Sequence, residues 1–314
     1  MFKITTATAA IALGALAAPL AAQESFPNNT VTIIVPYGAG GGTDNFVRAL
    51  EGPLEEAFGI DVAVRNVAGG GGAVGLAQTL TAEPDGYTVT IPNNAFYTLV
   101  GMGNVDFEIA DFDYIARLVT EPYVLTLGQS DNWSDLQSFV DYAKENKVTL
   151  GFAGVGSSSH IMTMAIADAL GVQVSFVPYG GGSEATAAAL GGHIDGVVLS
   201  PSDVVSAIEG DGGLIPVAAT GTSSLLPDVP IFSDHGVDVS ADQWRGIAAP
   251  AGVNPAVIIA WETALQKAIQ DEGFQQAVHN LGVELAPLYG EELKTFVQEG
   301  SDLFLPLTQS VAQQ

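Results

Sequence analysis

The sequence contains no cysteine. That excludes a disulfide framework, a thiolate nucleophile, cysteine metal ligands and a lipid anchor built on a thiol. Basic side chains are nearly as scarce, with 9 Lys and Arg against 35 Asp and Glu and a formal net charge of -26. Binding to nucleic acid or to an anionic membrane surface depends on clustered Lys and Arg, so both partner classes are excluded. Histidine occurs at 160, 193, 235 and 279 only, without metal-ligand spacing, and neither a metal nor a cofactor is expected. What is plentiful is apolar: 47% of the 314 residues are hydrophobic, enough to fill the cores of one large or two medium domains.

Met1 to Ala22 places Lys3 ahead of an Ala- and Leu-rich centre and ends in small residues before Gln23. This is the pattern of a secretory signal peptide cleaved after Ala22, so the mature chain is expected free in the periplasm. A retained membrane helix fits poorly, because the apolar part is shorter than the roughly 20 residues a span requires.

The chain is organised around Val31 to Leu50, VTIIVPYGAGGGTDNFVRAL. Val31 to Val35 is rich in β-branched residues and lacks polar alternation, which reads as a strand buried on both faces of a parallel sheet. Pro36 ends it, Tyr37, Gly38, Gly40, Gly41 and Gly42 form a turn, and Thr43 or Asp44 can cap a helix beginning near Asn45. Strand, glycine turn and helix N-terminus together make an anion site, since the first helical amides are unpaired and the dipole is positive there. Asp44, itself an anion, is expected to cap its own helix or hold a water, its charge turned away.

The logic recurs. Val62 to Val67 leads into AGGGGAVG, where Gly70, Gly72 and Gly75 match G-x-G-x-x-G, yet Thr90 stands where the dinucleotide fingerprint wants an acid. Thr88 to Ile91 ends in Asn93 and Asn94, candidate pocket residues beyond a strand's carboxyl end. Asp111 to Leu127 reads as an extended crossing into a second domain, and Trp244 to Ala249 as the return. In that second domain Thr149 to Phe152 ends in Gly154, Gly156, Ser157, Ser158, Ser159 and His160 before a helix over Ile161 to Leu170. Gln173 to Pro178 ends in Tyr179, Gly180, Gly181, Gly182 and Ser183 before a helix over Glu184 to Leu190. Val197 to Leu199 ends in Ser200, Pro201, Ser202 and Asp203. Helical patterns over Ala256 to Ile269, Glu272 to Asn280 and Glu291 to Phe304 suggest a helical cover at the C-terminus.

These landmarks also carry a resemblance. VTIIVPYGAGGGTD, RNVAGGGGAVGLAQTLTAEPDGYTV, GVGSSSH, VPYGGGSEATAAALGGHID, LLPDVPIF and WRGIAAPAGVNPAVI stand in the order found in the substrate-binding proteins of tripartite tricarboxylate transporters, the Bug family, which the mature chain resembles along nearly its whole length. The resemblance implies a periplasmic α/β fold of two lobes, each a central sheet flanked by helices. The lobes would close on a small carboxylate held by amides, hydroxyls and water, and deliver it to membrane permease subunits. It points to Tyr37 through Asp44, to Ser157, Ser158 and His160, and to Tyr179 through Ser183. Gly180 stands where many relatives carry lysine, and Ser200 and Pro201 where they often carry aspartate, so the second lobe departs from the pattern.

The expected organisation is a discontinuous first lobe, 25–124 plus 230–314, around a second lobe of 125–229, in a monomer that is not an enzyme. Two alternatives remain on residues alone: a serine hydrolase using Ser157 to His160, although G-x-S-x-G fails at His160, and a nicotinamide-dependent oxidoreductase using Gly70 to Gly75.

Overall fold

A computed structural model describes residues 26–208, 213–239 and 241–311. The leader expected at Met1 to Ala22 lies outside these residues. Strand β1, Val31–Val35, is buried as its apolar run requires, and helix α1, Gly42–Phe58, follows it. Phe46, Val47, Leu50 and Leu54 turn one helical face into the first core, and Gly59 ends the helix in the left-handed conformation, its N–H donating to the Glu55 carbonyl. Strand β2, Val62–Asn66, pairs parallel with β1 from one side. The glycine run becomes a 3-10 turn at Gly70–Gly72 and then α2, Ala73–Leu80, before β3, Thr88–Thr90, pairs parallel with β1 from the other. Helix α3, Ala95–Gly101, escaped the sequence reading because it is short and nearly all of it is buried, which erases periodicity.

The extended stretch divides into β4, Phe112–Pro122, and β5, Val124–Leu127, which belong to different sheets. Helix α4, Leu136–Glu145, is capped by the Asp135 carboxylate, which accepts from the Ser138 N–H. Three strand-turn-helix units follow. They are β6, Val148–Phe152, with α5, Ser158–Leu170; β7, Val174–Pro178, with α6, Gly182–Leu190; and β8, Gly196–Leu199, with α7, Pro201–Ile208. Strand β9, Ile215–Ala219, closes the second sheet, whose order is β7-β6-β8-β5-β9.

Strand β10, Asp242–Pro250, carries the chain back and pairs antiparallel with β4 and β3. The expected return at residue 230 is too early. Phe232 is fully buried in the second core, with Val237 and Val239 packed against it, and Ile231 bridges to Ala219. Helices α8, Pro255–Ala268, and α9, Glu272–Asn280, lay Trp261, Leu265 and Phe274 against α1 and the first sheet. The C-terminal region is not wholly helical as expected. Strand β11, Glu284–Leu288, runs antiparallel to β4 at the sheet edge, where Pro287 is tolerated because an edge strand need not donate on both sides. Helix α10, Gly290–Val311, is the last element of the described residues, and the first sheet has the order β11-β4-β10-β3-β1-β2.

Both sheets therefore direct the carboxyl ends of parallel strands toward one cleft, and β4 and β10 link the lobes. The β10 register against β4 shifts between Arg245 and Gly246, where a side chain on Gly246 would strike the Ala116 carbonyl. Gly246→Ala is expected to lower unfolding stability by about 1–3 kcal/mol, the usual cost of overpacking, in a urea titration.

Candidate functional site

Four helices begin at the cleft. Helix α1 starts at Gly42, not near Asn45, and its cap is Gly41, which offers no side-chain acceptor to the first amides. Helix α6 likewise starts at Gly182 behind a bare Gly41-like cap, Gly181, rather than at Glu184. Helix α5 starts at Ser158 and α7 at Pro201. Gly41, Gly42, Thr43, Ser157, Ser158, Gly182, Ser200 and Asp203 from these starts all line a small cavity of about 30 Å³, with Tyr37 and Gly38 from the opening turn. Positive dipole ends thus face one another across the cleft.

The glycines allow this approach. A Cβ on Gly42 would strike the Ser202 hydroxyl and stand 3.1 Å from the Arg245 guanidinium, and one on Gly182 would stand 2.5 Å from Asp203 Oδ1. The Gly42 N–H donates to Asp203 Oδ1 at 2.7 Å, a direct bond between lobes. Gly40 has φ +80° and donates to Asp44 Oδ2 at 2.8 Å. Asp44 also accepts from Arg48 Nε at 3.0 Å and from Asn66 at 3.0 Å. Burial alone would raise its pKa, but these donors and the Arg48 charge hold its carboxyl below the ordinary value. Asp44 is turned from the cavity, as a repelled anion should be, though it braces Gly40 instead of capping α1.

Sequence reasoning missed Gln243 and Tyr123. The Gln243 side-chain carbonyl, on β10, accepts from the Tyr123 hydroxyl at 2.5 Å and the Ser158 hydroxyl at 2.8 Å. It thereby ties the strand linking the lobes to the α5 N-terminus. An amide side chain beside Trp244 at the start of β10 was the available signal. Asn94 supports the same network, its amide donating to the Asp242 carbonyl at 2.8 Å. Asn93 is behind the cleft: its amide donates to the Tyr37 hydroxyl at 2.9 Å and its oxygen accepts from Ala95 N–H. Burial pushes the Tyr37 pKa up to about 12, so the hydroxyl stays protonated.

Other expected residues serve the turns. Ser157 caps α5 by accepting from His160 N–H at 3.2 Å, and His160 Nδ1 accepts from Gly156 N–H at 3.3 Å. The imidazole stacks on Phe152 at 4.4 Å, and burial lowers its pKa. Ser157 and His160 are therefore both engaged as acceptors of backbone amides, not as a nucleophile and its base. Gly180 donates to Glu184 Oε2 at 2.9 Å on the exposed side of its turn, and Tyr179 packs over Gly151 in the second lobe. Ser183 stands at the rim, its hydroxyl 4.0 Å from a Cβ built on Gly41. Gly70 to Gly75 is packing, not a phosphate cradle. A Cβ on Gly75 would lie 2.7 Å from Pro36, and Gly71 abuts Val155 and Ser157 of the other lobe. Among the described residues no group of acidic or histidine side chains could hold a metal.

Behind Thr43 lies a buried ion pair. Arg245 meets Glu121 and donates to Thr43 Oγ1 at 3.0 Å and Ser202 Oγ at 3.2 Å, while the Ser202 hydroxyl donates to Glu121 at 3.1 Å. One cluster thus joins both linking strands, α1 and α7.

A sequence profile described as tripartite tricarboxylate transporter family receptor (TctC) matches residues 46–312. A UPF0065 protein of the gbd 5′ region in Cupriavidus necator is 28% identical, covering 94% of this chain and 91% of that protein. The periplasmic binding protein BugD superposes with TM-score 0.85 at 28% identity, covering 91% of this chain and 98% of that one. MatC from Rhodopseudomonas palustris, solved with bound malate, shares the fold with TM-score 0.82 at 22% identity, covering 90% and 100%.

Arg245→Met leaves Glu121 buried without its counter-charge and is expected to cost about 3–5 kcal/mol of unfolding free energy, measured by urea titration. Adding Glu121→Leu should recover most of that loss, because the stranded charge is then gone.

Proposed function

The chain belongs to the tripartite tricarboxylate transporter receptor family, and on that premise we propose that it is a periplasmic solute receptor that captures a small organic carboxylate and presents it to membrane permease subunits. The observation that carries this reading is the meeting of the α1, α5, α6 and α7 N-termini at one cleft between two lobes. Unpaired first-turn amides bind anions without needing an arginine, and the buried Arg245 is already engaged by Glu121. MatC, which shares this fold, was solved with a small carboxylate, malate, bound.

The ligand carboxylate sits between the Gly41 to Thr43 turn and the Ser157 to Ser158 turn, with Tyr37, Gly182 and Ser200 around it. The cavity of about 30 Å³ has room for only a water or two, so the lobes part to admit the ligand and close on it. Strands β4 and β10 are the hinge. The lobes run through 26–122 with 242–311 and through 124–239. Nothing in this mechanism is catalytic, and the engagement of Ser157 and His160 with backbone amides supports that.

A thermal-shift screen across small carboxylates should raise the melting temperature for those that bind, because a ligand specific to the folded state stabilises it by mass action. Calorimetric titration with the best of them is expected to show a loss of about 10- to 100-fold for Ser158→Ala, which removes a polar partner of the anion and frees Gln243. Gly42→Val should abolish binding by crowding Ser202 and Arg245. Full affinity in both variants would place the site elsewhere.

A further inference from the structure

Asp203 is the one carboxylate among the described residues that line the cleft. It comes from the second lobe and reaches the first, where its Oδ1 accepts from Gly42 N–H at 2.7 Å, while its carboxylate rests against Gly182. Its position at the starts of α1, α6 and its own α7 favours the ionised form. Burial raises its pKa and the Gly42 bond offsets this only in part, while the helix N-termini around it favour the charged form. The nearby charges are spent: Glu121 and Arg245 neutralise one another, and so do Asp44 and Arg48. Burial keeps His160 neutral against Phe152.

A plain carboxylate entering this cleft brings a second negative charge beside Asp203. Like charges in a poorly solvated site disfavour one another strongly, and no lysine or unpaired arginine lines the cavity to offset them. The missing positive charge has to arrive with the ligand. We infer that Asp203 is a specificity-determining residue that makes this receptor prefer carboxylates bearing a protonated amine, amino acids in chemical class, over simple di- and tricarboxylates. The ligand carboxylate takes the helix amides and the ammonium takes Asp203, so the filled cleft is electrically neutral. This inference rests on the receptor reading above, and it concerns which carboxylates enter rather than whether they do.

Two ligand pairs differing by one ammonium group test it: propionate with alanine, and succinate with aspartate. In calorimetric titration of the full chain, the amino member of each pair is expected to bind at least 10-fold tighter. Asp203→Asn keeps an oxygen for the Gly42 N–H while removing the charge, and should bring each ratio to within about twofold. A melting curve of that variant confirms that it is folded. Equal or tighter binding of propionate and succinate by the wild-type chain overturns the inference and leaves the receptor reading standing, as does an amino preference that survives Asp203→Asn. If none of the four binds, and a broader carboxylate screen also leaves the melting temperature unmoved, both readings fall.

Discussion

An α-helix that begins in a cleft leaves its first amides without helical partners, and here four helices begin at one place, where Asp203, Ser157 and Glu121 take up some of those amides. That concentration of helix N-termini is the constraint on which the rest of the molecule depends. It requires parallel strands whose carboxyl ends face the cleft from both sheets, glycines wherever one backbone must lie on another, and something acidic or anionic to satisfy the donors. In the structure Asp203 meets one of those needs itself. The same physics that prepares the cleft for a ligand therefore gives the protein an internal partner for the Gly42 amide.

The cationic side chains are kept off the cavity lining. Arg245 lies behind Thr43 and is consumed by Glu121 and Ser202, and Arg48 is consumed by Asp44 at the outer face of the first turn. A buried ion pair contributes little net stability once desolvation is counted, but it fixes geometry, since either partner alone is costly. Its place across β4, β10, α1 and α7 makes it a register mark for the two lobes. Glycine at 246 lets β10 shift its register immediately after Arg245.

Much of this was legible in the sequence because the signals are local. β-Branched runs gave β1, glycine and serine turns gave the starts of the helices, and the two extended stretches gave the crossings. The order of motifs gave the family, and the profile match over residues 46–312 agrees with it. What was hidden depends on tertiary partners. Helix α3 and strand β11 carry no period because one is buried and the other is an edge of five residues with a proline. Helix starts were placed two or three residues late at α1, α5 and α6, since glycine and serine read as turn until packing draws them into the first helical turn. Gln243 and Tyr123 could not be connected to Ser158 by spacing, because 120 and 85 residues separate the bonded partners. The boundary at 230 failed for the same reason: Phe232 belongs to a core formed by chain far from it.

The two lobes touch at Gly71 against Val155 and Ser157, where main chain meets main chain with no side chain between. Gly156 continues the contact, its carbonyl accepting from the Thr98 hydroxyl. Leu99 packs on Gly156 beside it, but the backbone contact at Gly71 itself freezes almost no rotamers when it forms. That backbone contact carries little entropic penalty and little adhesive gain, so it is a bearing surface rather than a glue. For the opening and closing proposed above, such faces fit without sticking.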